Sequence, residues 1–230
     1  MNTQTTNSGS VAQETRVLLV DDHPLVRMSL REVLRREPNM VVCGEAEDRD
    51  QALELATTTK PHLAVVDLTL KSSSGLDLIK DFKERFPNIL VLVLSMHDEM
   101  LHAERAIRAG ARGYVTKHEA AKKIITAIQT VLSGEIYWSE RAAARVASKV
   151  AKNTISPSDS PLDVLADREL QVFELIGAGQ STRQIAAALH INVSTVETYR
   201  ARIKEKLNLD DSLALLQFAI RWHISGKSSQ

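Results

Sequence analysis

The sequence predicts a doubly wound α/β domain with a five-stranded parallel sheet of flavodoxin-like order, followed by a small all-α domain. Three observations carry that expectation. Short runs rich in Val, Leu and Ile alternate with amphipathic helical runs from 16 to 133, as in a sheet buried on both faces. The stretch 153–161, Asn-Thr-Ile-Ser-Pro-Ser-Asp-Ser-Pro, has linker composition. Beyond it only helical periodicity is found.

Val17-Leu18-Leu19-Val20 makes the first strand and runs into Asp21-Asp22. Val26, Leu30 and Val33 keep helical spacing to about Arg36, and Pro38 stops that helix. Val41-Val42-Cys43 is a second strand, and Ala52 to Ala56 lie in a short helix that ends before Pro61. Leu63-Ala64-Val65-Val66 runs into Asp67, after which Ile79, Phe82 and Phe86 mark a helix closed by Pro87. The run 89–94 ends in Ser95 and is followed by a helix over 100–109, capped by Gly110. Gly113-Tyr114-Val115 leads into Thr116-Lys117, and Ile124, Ile128 and Val131 mark a fifth helix capped by Gly134. The segment 134–161 is a linker containing an Ala-rich helical stretch, 139–151. Helices are expected at 167–176, 182–189, 194–207 and 212–224, within a second domain over 162–226.

Composition narrows the class. A hydrophobic share of 43% with 25% charged residues suits a soluble globular protein, and no apolar run approaches a membrane span. Residues 1–15 are polar, with neither a basic flank nor an apolar core, and read as a disordered tail and not a signal peptide. The single Cys43 lies in an apolar run and reads as a core residue; it excludes an internal disulfide. A cytoplasmic location is expected. Basic and acidic residues number 29 each and also balance from Pro161 onward, so a nucleic-acid role has to rest on local clustering.

Parallel strands joined by same-handed crossovers present all their carboxyl ends on one edge, where open α/β sheets bind ligands. Asp21, Asp22, Asp67, Ser95 and Lys117 are therefore expected to meet there. Adjacent carboxylates ionise at a cost unless a cation is present, and a site with few carboxylates and room for water and phosphate suits Mg²⁺. Asp67 can act as a nucleophile toward phosphorus, Lys117 can pair with the resulting dianion, and the Ser95 hydroxyl can donate to it. Taken singly, each residue has a plainer role: Asp or Ser as a helix cap, Lys117 on the surface, Tyr114 in the core. Their shared edge and order weaken that reading.

Residues 16–133 resemble the receiver domain of two-component response regulators. The matching elements are Asp21-Asp22, Asp67, Gly75 eight residues later, Ser95, and Tyr114 three residues before Lys117. The resemblance implies that Asp67 accepts phosphate from a phosphohistidine on a sensor kinase. It implies that Asp22, Asp67 and the backbone carbonyl of Thr69 bind Mg²⁺ directly, with Asp21 nearby or acting through water. It also implies that Ser95 moves toward the phosphoryl group while Tyr114 rotates inward as a switch. Lys71 stands where the family usually has Pro.

In the second domain, Val196, Tyr199, Ile203 and Leu207 give one buried stripe on the third helix. The opposite face carries Ser194, Thr198, Ala201 and Glu205, flanked by Glu197 and Arg202, with Arg200 and Lys204 along one side. A thin face beside basic residues suits a major groove, whereas a solvated helix pair is the plainer alternative. This segment resembles the helix-turn-helix domain of the NarL/FixJ and LuxR group through Arg168-Glu169, Gly179, Ile185-Ala186, Leu189, Thr195-Val196-Glu197-Thr198, Arg200 and Lys206-Leu207. Ala166, Asn192 and Ser194 depart from the group's usual Thr, Ser and Lys. The resemblance implies that Thr198, Ala201 and Arg202 read base edges with Glu197 on the flank. Arg183, Thr195, Arg200 and Lys204 would contact phosphates, and Leu213, Leu216 and Ile220 would lie on a dimerisation helix.

The combined expectation is a regulator, not an enzyme, that binds double-stranded DNA and controls transcription when a sensor histidine kinase has phosphorylated Asp67. The receiver would pack against the helical domain when unphosphorylated, and its state would control dimerisation and DNA binding. A phosphate-insensitive regulator, or a receiver acting through protein contacts, is the alternative. A metal-dependent aspartyl phosphatase fits less well, because Thr69 stands where those enzymes carry a second carboxylate.

Overall fold

The computed structural model describes residues 14–70, 73–96, 99–139, 142 and 161–227. The expected tail, the linker helix and Lys71 fall largely or wholly outside the described residues. Strands β1 (Thr15–Val20), β2 (Met40–Ala46) and β3 (Leu63–Val66) alternate with helices α1 (Pro24–Leu34) and α2 (Arg49–Thr59). A two-residue pair, β4 (Thr69–Leu70) and β5 (Ser73–Ser74), precedes α3 (Gly75–Arg85). Then come β6 (Leu90–Ser95), α4 (Glu99–Ala109), β7 (Gly113–Thr116) and α5 (Ala120–Leu132). The parallel sheet has the order β2-β1-β3-β6-β7, the flavodoxin-like arrangement, in which the chain reverses its progress across the sheet between β1 and β3.

Alternation along the strands explains their unbroken apolar runs. Val17, Leu19, Leu63, Val65, Leu92, Leu94 and Val115 point to the face covered by Leu30 and Leu34 of α1 and by Ile124, Ile128 and Val131 of α5. Leu18, Val20, Ala64, Val66, Val91 and Val93 point to the other face, against Ala52 and Ala56 of α2, Ile79 and Phe82 of α3, and Ala106 of α4. Both faces being covered, the inner strands β3 and β6 leave no position for a polar side chain until they end.

Two features lie beyond the sequence reading. The β4–β5 pair is antiparallel, with Thr69 opposite Ser74, and turns the chain directly after Asp67. Residues just past α5 return to the sheet edge: Tyr137 bridges to Gly113, and the Tyr137 carbonyl accepts from the Tyr114 amide at 2.9 Å.

The second domain contains a 3₁₀ turn (Pro161–Val164) and helices α6 (Asp167–Gly177), α7 (Thr182–Ala188), α8 (Val193–Lys206) and α9 (Ser212–Lys227). Its core joins Leu170, Phe173, Ile176, Ile185, Leu189, Val196, Ile203 and Leu215, with Phe173 and Phe218 ring centroids 5.7 Å apart. Ser181 and Gln184 cap α7 reciprocally. At α6 only half of such a box exists. Glu169 accepts from the Ala166 amide at 2.7 Å, but Ala166 has no side-chain oxygen to return the contact. Ala166 is exposed and extended (φ −68°, ψ 162°), so Ala166→Thr is expected to complete the box and stabilise the protein by about 1 kcal/mol. Urea unfolding with an unchanged or lowered midpoint would contradict it. Among the described residues, no helix is long and apolar enough to cross a membrane.

Candidate functional site: an acidic pocket facing a helix-turn-helix domain

In-register pairing brings the strand ends level. Val20 pairs with Val66 and Val66 with Val93, while Ser95 pairs with Thr116. The Asp67 amide donates to the Val20 carbonyl at 2.8 Å, and the Lys117 amide to the Ser95 carbonyl at 2.8 Å. Asp21, Asp67 and Ser95 are buried, and the Asp22 carboxylate is nearly so, with a side-chain exposure of 4%.

One cation organises the pocket. Lys117 Nζ lies 2.7 Å from Asp21 Oδ2 and 2.7 Å from Asp67 Oδ2. Burial alone pulls the Lys117 ammonium down. Close attraction to Asp67 and Asp21 more than reverses this, and its pKa stands above the ordinary lysine value. Asp22 Oδ1 is 2.6 Å from His23 Nδ1, which is also 3.2 Å from Asp21 Oδ1. Ligand atoms from Asp21, Asp22, His23 and Asp67 all lie within 4.8 Å of one another. Asp21 Oδ2 and Asp22 Oδ1 are buried and lie close to Lys117 Nζ and His23 Nδ1 without hydrogen-bond geometry. Oxygen donors with lone pairs left over suit a hard divalent cation, so the residues fit the metal expected from the sequence.

Beside Asp67, proximity dictates a glycine. A Cβ on Gly75 would sit 2.0 Å from the Asp67 carbonyl oxygen and 2.8 Å from the Leu68 Cα. Tyr114 is buried, its ring centroid 6.3 Å from that of Trp138. Thr69, in β4, lies two residues beyond Asp67.

On α8, Val196 and Ile203 are buried, and Tyr199, together with Leu207 just past the helix end, packs against the same core. Ser194, Glu197, Thr198, Ala201, Arg202 and Glu205 are exposed, as is Arg183 on α7; Thr195, Arg200 and Lys204 are half-buried. Glu197 accepts from Thr182 Oγ1 at 3.0 Å and lies 3.7 Å from Arg200 Nε. On α9, Leu213 is 59% and Leu216 36% exposed, and Ile220 is half-buried.

The two domains dock. Arg105 on α4 reaches Asp167 at 2.8 Å and the Leu162 carbonyl at 3.1 Å. His102, also on α4, lies 2.9 Å from Glu174 of α6. Arg168 donates to the Ser73 carbonyl, and Gln171 Nε2 to the Leu68 carbonyl at 3.2 Å. Burial pulls the Arg168 guanidinium below its ordinary value against the pull of Tyr199, Asp77 and Asp22. His190, in the turn between α7 and α8, places Nε2 2.9 Å from Asp22 Oδ2. The domain thus packs where the pocket opens, while the outer face of α8 and the α9 leucines stay exposed. The sequence reading does not include His23, although it directly follows Asp21-Asp22. Nothing in the sequence pattern marks His102, Arg105, Gln171 or His190 as docking residues.

Comparison with known proteins places this geometry. Residues 17–129 match the response regulator receiver domain, and residues 163–219 match the bacterial regulatory proteins of the luxR family. The response regulator GacA of Pseudomonas protegens is 34% identical over 90% of this chain and 95% of its own length. The chain is a response regulator. UvrY of Escherichia coli, also a response regulator, is 32% identical over 89% of this chain and 93% of its own. This regulator joins a receiver to a LuxR-type DNA-binding domain, as the NarL/FixJ group does, and acts on transcription.

Solved structures agree on the fold. A LuxR-family two-component response regulator from Aurantimonas is 33% identical over 60% of this chain and 99% of that one, with a TM-score of 0.55. RcsB of Salmonella enterica serovar Typhimurium, bound to promoter rprA in the presence of phosphomimetic BeF3⁻, is 23% identical over 90% of this chain and 98% of that one. Its TM-score is 0.58, a likeness of fold.

Proposed function

We propose that this regulator takes a phosphoryl group onto Asp67 from a sensor histidine kinase and thereby changes how its helix-turn-helix domain engages double-stranded DNA. The observation that carries the reading is the buried Asp67 carboxylate, held by Lys117 beside Asp21 and Asp22 at the carboxyl edge of the sheet. In the transfer, the N–P bond of the donor phosphohistidine breaks as a P–O bond forms to Asp67. Asp21, Asp22, Asp67 and the Thr69 carbonyl would hold Mg²⁺, which when bound neutralises charge on the transferring group. Lys117 and Ser95 contact the new dianion, and Tyr114 senses the shift of the Ser95 loop. The adduct carries roughly 1.5 to 2 negative charges where the free carboxylate carries one, and spreads them over three phosphoryl oxygens farther from the backbone, enough to rearrange the ion pairs on which the pocket depends.

The receiver spans 16–133, the linker 134–161 and the DNA-binding domain 162–226, beyond a tail of 1–15. Thr198, Ala201 and Arg202 read base edges, flanked by Glu197; Arg183, Thr195, Arg200 and Lys204 contact phosphates. Leu213, Leu216 and Ile220 supply a homodimer contact in the phosphorylated or DNA-bound state. The exposure of Leu213 and Leu216 supports that assignment. The protein works in the cytoplasm, where its kinase and DNA are reached together.

The test is phosphorylation by a small acyl phosphate with Mg²⁺, followed by intact mass and DNA affinity. Wild type is expected to gain one phosphoryl group and bind DNA more tightly, and Asp67→Asn to do neither. An unchanged DNA affinity in fully phosphorylated wild type would overturn the reading. Arg202→Ala is expected to cost about 1–3 kcal/mol of binding to the preferred site and to relax specificity there. A uniform loss on every sequence would instead make it a phosphate contact.

A further inference from the structure

The docked DNA-binding domain contributes a side chain to the acidic pocket. Asp22 divides its two oxygens: buried Oδ1 lies on the side of His23 and the other pocket ligands, and Oδ2 meets His190 Nε2 at 2.9 Å. His190 has left-handed backbone (φ 53°) where α7 ends, and that conformation directs the chain out of the helix at this point. The ring is half-exposed, whereas the carboxylate it meets is nearly buried.

We propose that His190 is a positioning residue for the receiver's metal site, acting through Asp22 from the other domain. The inference rests on the reading of Asp22 as a metal ligand. A carboxylate that gives one oxygen to a cation is held in orientation by a donor on the other, and such outer partners typically contribute tenfold to a hundredfold in metal affinity. Here that partner belongs to a separate domain, so the two equilibria are linked. Docking tightens metal binding, and the metal, by reciprocity, tightens docking. The contacts of Arg105 with Asp167 and of Arg168 with the Ser73 carbonyl hold the helix-turn-helix domain where His190 can reach.

The experiment is a Mg²⁺ titration of the full chain at mildly alkaline pH, with neither phosphodonor nor DNA, paired with small-angle scattering. His190→Gly removes the ring and suits the left-handed backbone; it is expected to weaken Mg²⁺ binding about tenfold. His190→Gln returns a donor at the same reach and is expected to restore most of the affinity. Arg105→Ala, which breaks a docking contact with Asp167 and touches no pocket carboxylate in the contacts above, is expected to weaken Mg²⁺ binding in the same direction and to add little to His190→Gly. Mg²⁺ should compact wild type and leave His190→Gly unaffected. A Mg²⁺ affinity that is unchanged or tighter in His190→Gly would overturn the proposal while leaving Asp67 chemistry intact. Failure of wild type to bind Mg²⁺ would overturn the metal reading beneath it.

Discussion

Gly75→Ala is expected to destabilise the receiver by about 3 kcal/mol or more and to abolish phosphorylation of Asp67 in whatever remains folded. Gly75 begins α3, its amide donating to the Leu68 carbonyl at 2.9 Å. The added methyl group would stand 2.0 Å from the Asp67 carbonyl oxygen and 2.8 Å from the Leu68 Cα, both backbone atoms. No rotamer change can relieve such a clash, so either α3 or the segment bearing Asp67 must move. Leu76, Ile79 and Phe82 anchor α3 in the core, which leaves the Asp67 segment to yield. Gly134→Ala is the control: it has positive φ (88°) but nothing within 4 Å of the new methyl, so only backbone strain of about 1–2 kcal/mol applies. Urea unfolding should separate the two variants. Wild-type stability and phosphorylation in Gly75→Ala would sink the argument.

The same glycine shows what was legible in the sequence and what was not. Its spacing from Asp67 signalled a resemblance, but the reason for it, backbone stacked on backbone, needs coordinates. Strand runs such as Leu63-Ala64-Val65-Val66 were legible because both faces of the sheet are covered. The meeting of Asp21, Asp67 and Lys117 followed from the rule that parallel strands share a carboxyl edge. The β4–β5 pair has two residues per strand, too few for a period to register. Helix α2 starts three residues before Ala52, because Asp48 caps it there, and Lys60 closes it in left-handed backbone just before Pro61, where the sequence places its end.

Docking was legible only as a general expectation. Its contacts join residues far apart in the chain, such as Arg105 with Asp167 and His190 with Asp22, and charged residues on amphipathic helices look alike whether solvated or docked. The structure also refines what docking covers. The outer face of α8 is exposed while the domain rests against Leu68, Ser73 and Asp22, so contact restrains the pocket directly. On the function proposed above, docking would act on DNA binding through the orientation imposed on the domain, because the outer face of α8 is uncovered.

Lys117→Met is expected to lower stability by about 3–5 kcal/mol in metal-free buffer, with much of the loss recovered in excess Mg²⁺. The lysine side chain is 8% exposed and its ammonium contacts two carboxylates whose own exposures are 3% and 4%. Methionine keeps an unbranched apolar stem, so the change removes charge with little loss of packing. Asp21 and Asp67 would then repel in a medium of low dielectric, and their readiest relief is another cation. The Lys117 pKa is raised in the folded state, so its stabilisation is fully present below the unfolded lysine value. It is lost only as pH rises through the higher folded value. The difference between wild type and Lys117→Met should therefore hold across neutral pH and shrink in strong alkali. Equal destabilisation with and without Mg²⁺ would mean that the lysine serves packing and not charge balance in the pocket.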